Sequence, residues 1–186
     1  RNPEVTLILC GSIASFMKSK VLKSSALYGR TDYELNLRAL QLHEIAQFFP
    51  EKGTDEILET AMLVGGIPKY LELVAEHPSV YDAIEGLAFS PSGFFQTEYD
   101  RLFASHFGKK PIYRRIIRLL SDNPYGLTVS RIAAELGIAA GGSLSRQLDD
   151  LESAGFLHAM IPFDKPDNSK LLKYVLIDAY VRFYTA

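Results

Sequence analysis

Tryptophan is absent from this chain, cysteine occurs once, at Cys10, and there are four histidines. A single thiol forms no internal disulfide and fits a reducing compartment, so the cytoplasm is the expected location. His43, His77, His106 and His158 are scattered, without H-x-x-x-H spacing or a cysteine pair, and no metal site is expected from them. An excess of one charge is missing too. Twenty Lys and Arg against 22 Asp and Glu leave a net −2, which excludes the strongly basic coat of a dedicated nucleic-acid binder. The longest apolar-leaning run, Val5 to Met17, is broken by Thr6, Gly11, Ser12 and Ser15. It falls well short of the roughly 20 residues that span a bilayer, and it lacks the basic flank of a signal peptide, so no membrane partner is expected. Neither the phosphate loop G-x-x-x-x-G-K-[ST] nor the nucleophile elbow G-x-S-x-G occurs. The chain contains no complete catalytic site of its own.

What is present is ordinary globular material: 186 residues, 47% hydrophobic and 23% charged. That is one large domain or two small ones, long enough to bury about 70% of its unfolded surface without a disulfide or metal. The opening Arg1-Asn2-Pro3 and the apolar close at Phe183-Tyr184-Thr185-Ala186 read as the cut ends of a fragment. Charge is unevenly spread. Residues 1–108 carry nine cations and fourteen acids, net −5, and residues 109–186 carry eleven and eight, net +3, which together recover −2. Two units with different partners are expected, with a seam near Phe107–Pro111.

The run Val5–Cys10, ending in Gly11-Ser12, has the continuous apolar pattern of a strand buried on both faces. Ser12 is placed to cap a helix reaching about Lys23, and Tyr33–Arg38 alternates like a second strand. From Leu42 to His106 the periodicity is helical, with Pro50 ending one stripe, Thr54 and Ser79 as caps, and Gly65-Gly66-Ile67-Pro68 as a break. Next come helices marked by Ile112, Ile116, Leu119 and Leu120, by Ile132, Ala133 and Leu136 after the cap Thr128, and by Leu144, Leu148 and Leu151 after the cap Ser143. Strands over Phe156–Phe163 and Lys170–Ile177 follow, around a turn at 164–168. Val175-Leu176-Ile177-Asp178 imitates a Mg²⁺-binding strand, but with no phosphate loop or acidic neighbour it reads as an ordinary one. Three helices and a hairpin is the winged-helix order. The expected class is mainly α with small β content (α+β): the end of an α/β nucleotide-binding core at 1–40, a helical lid at 41–107, a winged helix at 108–178, and the start of a following segment at 179–186.

Leu7-Ile8-Leu9-Cys10-Gly11-Ser12 with Leu27-Tyr28-Gly29-Arg30, then Gly65-Gly66-Ile67-Pro68-Lys69-Tyr70-Leu71, Glu98–Ser105 and Gly141–Ser145, resemble in order the archaeal-type ATPases of the AAA+/STAND group. The resemblance covers nearly the whole chain, and the second stretch looks like the GGxPxYL signature of their lid. It implies a parent protein that binds ATP and Mg²⁺ through an N-terminal core missing here. It also implies Ser12 as the polar sensor of the γ-phosphate and Arg30 as an arginine presented to a neighbour's nucleotide. A guanidinium there is worth on the order of 10³–10⁵ in rate. Gly66 and Pro68 would contact the nucleotide, with Pro68 on the adenine. Without its sheet neighbours the strand at Val5–Leu9 leaves an edge open to self-association.

The third helix of a winged helix often enters the DNA major groove, and here it would present Ser143, Ser145, Arg146 and Gln147. Asp149, Asp150 and Glu152 follow, and the first two stand three and four positions beyond Arg146, spaced to pair with it. Weak DNA binding is therefore expected, with the module serving chiefly in packing and signal relay. The alternative is a non-enzymatic winged-helix DNA-binding regulator with a helical partner domain. Because the phosphate-binding elements are missing, calorimetric titration of this chain with Mg-ATP should show no binding tighter than millimolar and no turnover. Micromolar affinity would overturn the fragment reading.

Overall fold

A computed structural model of the chain describes residues 6–11, 30, 32–166 and 169–186. They fall into two units, one ending at Asn36 and one running from Leu37 to Ala186. Residues 6–11 and 32–40 carry no strand, against expectation. Leu7, Ile8 and Leu9 are exposed, as are Tyr33, Leu35 and Leu37. A strand exists only within a hydrogen-bonded ladder, and among the described residues none runs beside either segment. The expected helix after Ser12 lies outside the described residues, as does Ser12 itself.

The second unit begins with helices. Helix α1 (Leu42–Ile45) tightens into a 3₁₀ turn at Ala46–Phe48, and α2 spans Thr54–Val64. Helix α3 (Pro68–Ala75) precedes α4 (Val80–Ile84), which widens into a π turn at Glu85–Phe89, and α5 runs Phe94–Phe107. Next come α6 (Pro111–Ser121), β1 (Leu127–Thr128), α7 (Val129–Leu136), α8 (Gly142–Ser153), β2 (Leu157–Met160), β3 (Lys173–Leu176) and α9 (Ala179–Thr185). The described chain is mainly helical with one small antiparallel sheet, an α+β arrangement.

Local chemistry explains most boundaries. The hydroxyl of Ser79 accepts the Asp82 N–H and that of Thr128 the Arg131 N–H, so both are side-chain caps. Two expected caps shift by one or two residues. Gly53 and Gly141 hold the extended cap conformation, and their carbonyls accept from Ile57 and Ser145, so Thr54 and Ser143 lie inside α2 and α8. Gly137 closes α7 in the left-handed region, with φ 64° and ψ 37°.

Strand β3 is central, in the order β1-β3-β2, pairing Leu127 with Tyr174 and Leu157 with Leu176. Both hairpin strands are shorter than their apolar patterns. Pro162 has no N–H to give a ladder, and pairing stops at Met160 and Lys173. Strand β1 has too few residues for a periodic signal. Gly126 lets it approach, because a methyl there would sit 2.7 Å from both the Tyr174 carbonyl oxygen and Val175 Cγ2.

A single cluster of buried residues runs from Ile45 to Val181 and joins the helices to the sheet. Helix α9 completes it instead of leading away. Tyr180 and Val181 are buried, and the Tyr180 hydroxyl donates to the Phe95 carbonyl at 3.1 Å. The Tyr180 ring lies 5.0 Å from Phe95 and 5.3 Å from Tyr70. Truncating this ring should be far worse than losing its hydroxyl. Tyr180→Ala is expected to cost about 3–5 kcal/mol and Tyr180→Phe about 1 kcal/mol, read from urea unfolding midpoints. Equal costs would show that packing is not what α9 contributes.

Candidate functional site

The Gly65-Gly66-Ile67-Pro68 stretch forms the turn between α2 and α3, and each residue has a local task. Gly65 ends α2 with φ 70° and ψ −160°, a conformation that side chains resist. Gly66 is buried, and a Cβ on it would overlap the backbone of Leu40, whose N–H donates to the Gly66 carbonyl at 2.8 Å. Ile67 is extended, and its carbonyl accepts from Tyr70 and Leu71. Pro68 opens α3, where its missing N–H costs nothing and its φ is already helical. On the far side of the turn, a methyl on Gly65 would touch Ala179 Cβ at 3.4 Å. The turn is thus held between the chain segment that precedes α1 and the first residue of α9.

Below the turn, Tyr70 is buried with its ring edge on Phe95, at 5.3 Å and 89°, and its hydroxyl donates to Glu98 Oε1 at 2.8 Å. Burial, then the hydrogen bond and charge of Glu98, push this hydroxyl far above its ordinary range. Tyr70 therefore stays a neutral donor. Above it Ile67, Pro68 and Lys69 are exposed. For a nucleotide, this provides one apolar wall for a planar base. Gly66 is already filled by Leu40, and among the described residues no three His, Cys, Asp or Glu side chains gather as metal ligands. A phosphate and Mg²⁺ cradle is not built from the described residues, and no hydrolytic step follows from them. Of the two residues to which the resemblance gives a catalytic role, Arg30 is exposed and Ser12 lies outside the described residues.

The second candidate surface is the first half of α8. Leu144, Leu148 and Leu151 are buried, so Ser143, Ser145 and Arg146 face outward and Gln147 is half-buried. Gln147 Nε2 donates to the Ser143 hydroxyl at 3.4 Å. The expected pairing of Arg146 with Asp149 or Asp150 is not made. Asp150 Oδ2 instead accepts the Tyr113 hydroxyl of α6 at 2.7 Å, and Arg146 has no ion pair among the described residues. Burial first, then Asp150, push the Tyr113 hydroxyl up to about 12, so it keeps its proton and holds the carboxylate. Glu152 Oε1 accepts the Ala159 N–H of β2 at 2.9 Å. Asp149 is raised by burial, then by Glu152 and Asp150. Two of the three acids are thus bound to the body of the fold.

Compared with known proteins, the chain is 28% identical over 185 residues to an uncharacterized protein of Methanocaldococcus jannaschii. That alignment takes in 99% of this chain, which spans 41% of the relative's length. No protein-family profile matches the chain, and no solved structure does.

Sequence reasoning passed over Leu40 and Tyr113, which shape these surfaces, and took Asp178 only as the end of a strand. Leu40 acts through its backbone and Tyr113 through a partner 37 positions away, so neither leaves a local pattern. Asp178 had a signal, an acid directly before an apolar helical run. Its Oδ1 accepts the Val181 N–H at 2.7 Å and caps α9. Burial nevertheless raises its carboxyl above the ordinary 3.8, the cap bond working the other way. A raised folded-state value means the fold favours the protonated form. That contribution is complete below the ordinary carboxylate value and is lost as pH climbs through the raised one. Asp178→Asn keeps an acceptor for Val181, so thermal unfolding should show the wild type losing more stability than this variant from acidic towards neutral pH. An equal loss in both would rule Asp178 out as the source.

Proposed function

We propose that this chain is the lid and winged-helix portion of an ATP-binding protein of the AAA+/STAND group, relaying nucleotide state instead of carrying out hydrolysis alone. In this reading residues 41–107 are the lid, and α6, β1, α7, α8, β2 and β3 make the winged helix. The observation that carries it is the grip on the Gly65-Gly66 turn. The segment entering the lid bonds to Gly66 through Leu40, and the helix leaving the hairpin rests on Gly65 through Ala179. A change at the exposed Ile67-Pro68 edge therefore reaches both the segment before the lid and the helix after the wing.

ATP with Mg²⁺, held by a phosphate loop outside these residues, would supply the γ-phosphate whose loss moves the lid. Pro68 would lie against the adenine, Ser12 would face the γ-phosphate, and Arg30 would reach a neighbour's nucleotide. The apolar Leu7–Leu9 segment would pair with the remaining strands of that core or with another copy. The intact protein tests this. Azido-adenosine triphosphate should label the stretch at 67–69, and Arg30→Ala should lower turnover by on the order of 10³-fold while ATP affinity is retained. Labelling elsewhere, or turnover indifferent to Arg30, would overturn the reading.

A second reading has an observation of its own. Arg146, with Ser143, Ser145 and Gln147 beside it, is exposed and makes no ion pair among the described residues, which suits a winged helix that contacts duplex DNA through α8. In that case the nucleotide-dependent parts are dispensable, and the protein is a non-enzymatic regulator.

A further inference from the structure

The densest run of positive charge in the chain lies on and just before α6, the helix whose Tyr113 bonds Asp150 of α8. From Lys109 to Ser121 there are five cations, Lys109, Lys110, Arg114, Arg115 and Arg118, and no acid, in a chain of net charge −2. Helix α6 buries Tyr113, Ile116, Ile117 and Leu120. Its opposite face therefore presents Arg115 and Arg118, with Arg114 on the flank and both lysines exposed just before the first turn. Two of the five are engaged within the fold. Arg114 Nη2 meets Asp100 Oδ1 at 2.7 Å, and Arg115 Nη2 donates to the Leu136 carbonyl at 2.8 Å. Lys109, Lys110 and Arg118 make no ion pair among the described residues, and Asp122, just past the helix, pairs with none of them.

This arrangement works against the helix that carries it. Lys110, Arg114 and Arg118 stand four residues apart and repel one another. Lys109 and Lys110 sit at the positive end of the helix dipole, with no acidic residue in the first turn to offset them. Arg114 is offset by Asp100, but Lys109, Lys110 and Arg118 have no ion-pair partner among the described residues, so an external polyanion is the natural counterpart. The row also lacks the apolar centre that a protein partner needs, since no large apolar side chain between 109 and 121 is exposed. From Lys110 to Arg118 the helix rises about 12 Å, the reach of three or four successive phosphates at roughly 3.4 Å per nucleotide. Guanidinium groups match phosphate oxygens in paired hydrogen bonds.

We propose that this face of α6 binds the phosphate backbone of duplex nucleic acid, independently of sequence. It deepens the DNA-binding reading by moving the affinity from α8 to α6, and it leaves the nucleotide reading untouched. The test is fluorescence anisotropy of the whole chain with a short labelled duplex of random sequence at low salt. Lys110→Glu with Arg118→Gln alters two side chains that make no ion pair among the described residues and places an acid only at the first turn, where the helix dipole favours one, so circular dichroism should be unchanged. Binding should weaken by about tenfold or more, and the dependence of affinity on salt should flatten by about two phosphate contacts. Arg146→Ala should leave most of this affinity in place. If Arg146→Ala abolishes binding and the α6 variant does not, the α8 reading stands and this inference falls. If wild type fails to bind at low salt, or poly-glutamate displaces it as well as unlabelled duplex does, both lose their ground.

Discussion

A continuous column of aromatic rings carries the second unit. It starts at Tyr70, passes to Phe95 and Tyr180, and continues through Tyr184 to Tyr99, stacked at 4.3 Å and 8°. From Tyr99 it runs to Phe103, which meets Phe156 beside β2 and Phe107, and Phe107 stacks on Tyr113 at 4.2 Å. It links α3, α5, α6, α9 and the residue leading into β2. Such rings combine large buried area with directional edge and face contacts, so a column of them sets both distance and orientation. Arg114 lies over it, its guanidinium carbon 5.9 Å from Tyr99 and 5.7 Å from Phe103, and links α6 to α5 through Asp100.

The column explains why the helical part and the sheet part share one core in spite of their opposite net charges. It also explains the dependence on α9, which contributes two of the rings and lies last in the chain. The Gly65-Gly66 turn stands at one end of the column, directly above Tyr70, and the Tyr113–Asp150 bond stands at the other. Whatever moves the turn must therefore act on a stiff, close-packed element, and packed cores shift between discrete arrangements instead of deforming smoothly. In the reading proposed above, this stiffness is what a relay would use. The acids of α8 belong to the same picture, because Asp150 closes the far end of the column and so leaves Arg146 exposed.

The sequence alone determined where most helices begin and end. Proline at Pro68 and Pro111, hydroxyl caps at Ser79 and Thr128, and the glycine after α7 act within one turn of chain, and so they are legible without a fold. The apolar faces of α6, α7 and α8 were legible for the same reason, since burial follows the helical repeat. Tertiary structure decided the rest. The run at residues 6–10 and the alternation at 33–38 have strand chemistry, but a strand also needs a neighbour, and sequence pattern says nothing of one. Likewise the spacing of Arg146 from Asp150 offered an ion pair, and a tyrosine on another helix took the carboxylate. Gly66 packs on the Leu40 backbone, a contact that no local pattern announces. In each case the deciding partner lies far along the chain, and long-range contact leaves no mark in local periodicity.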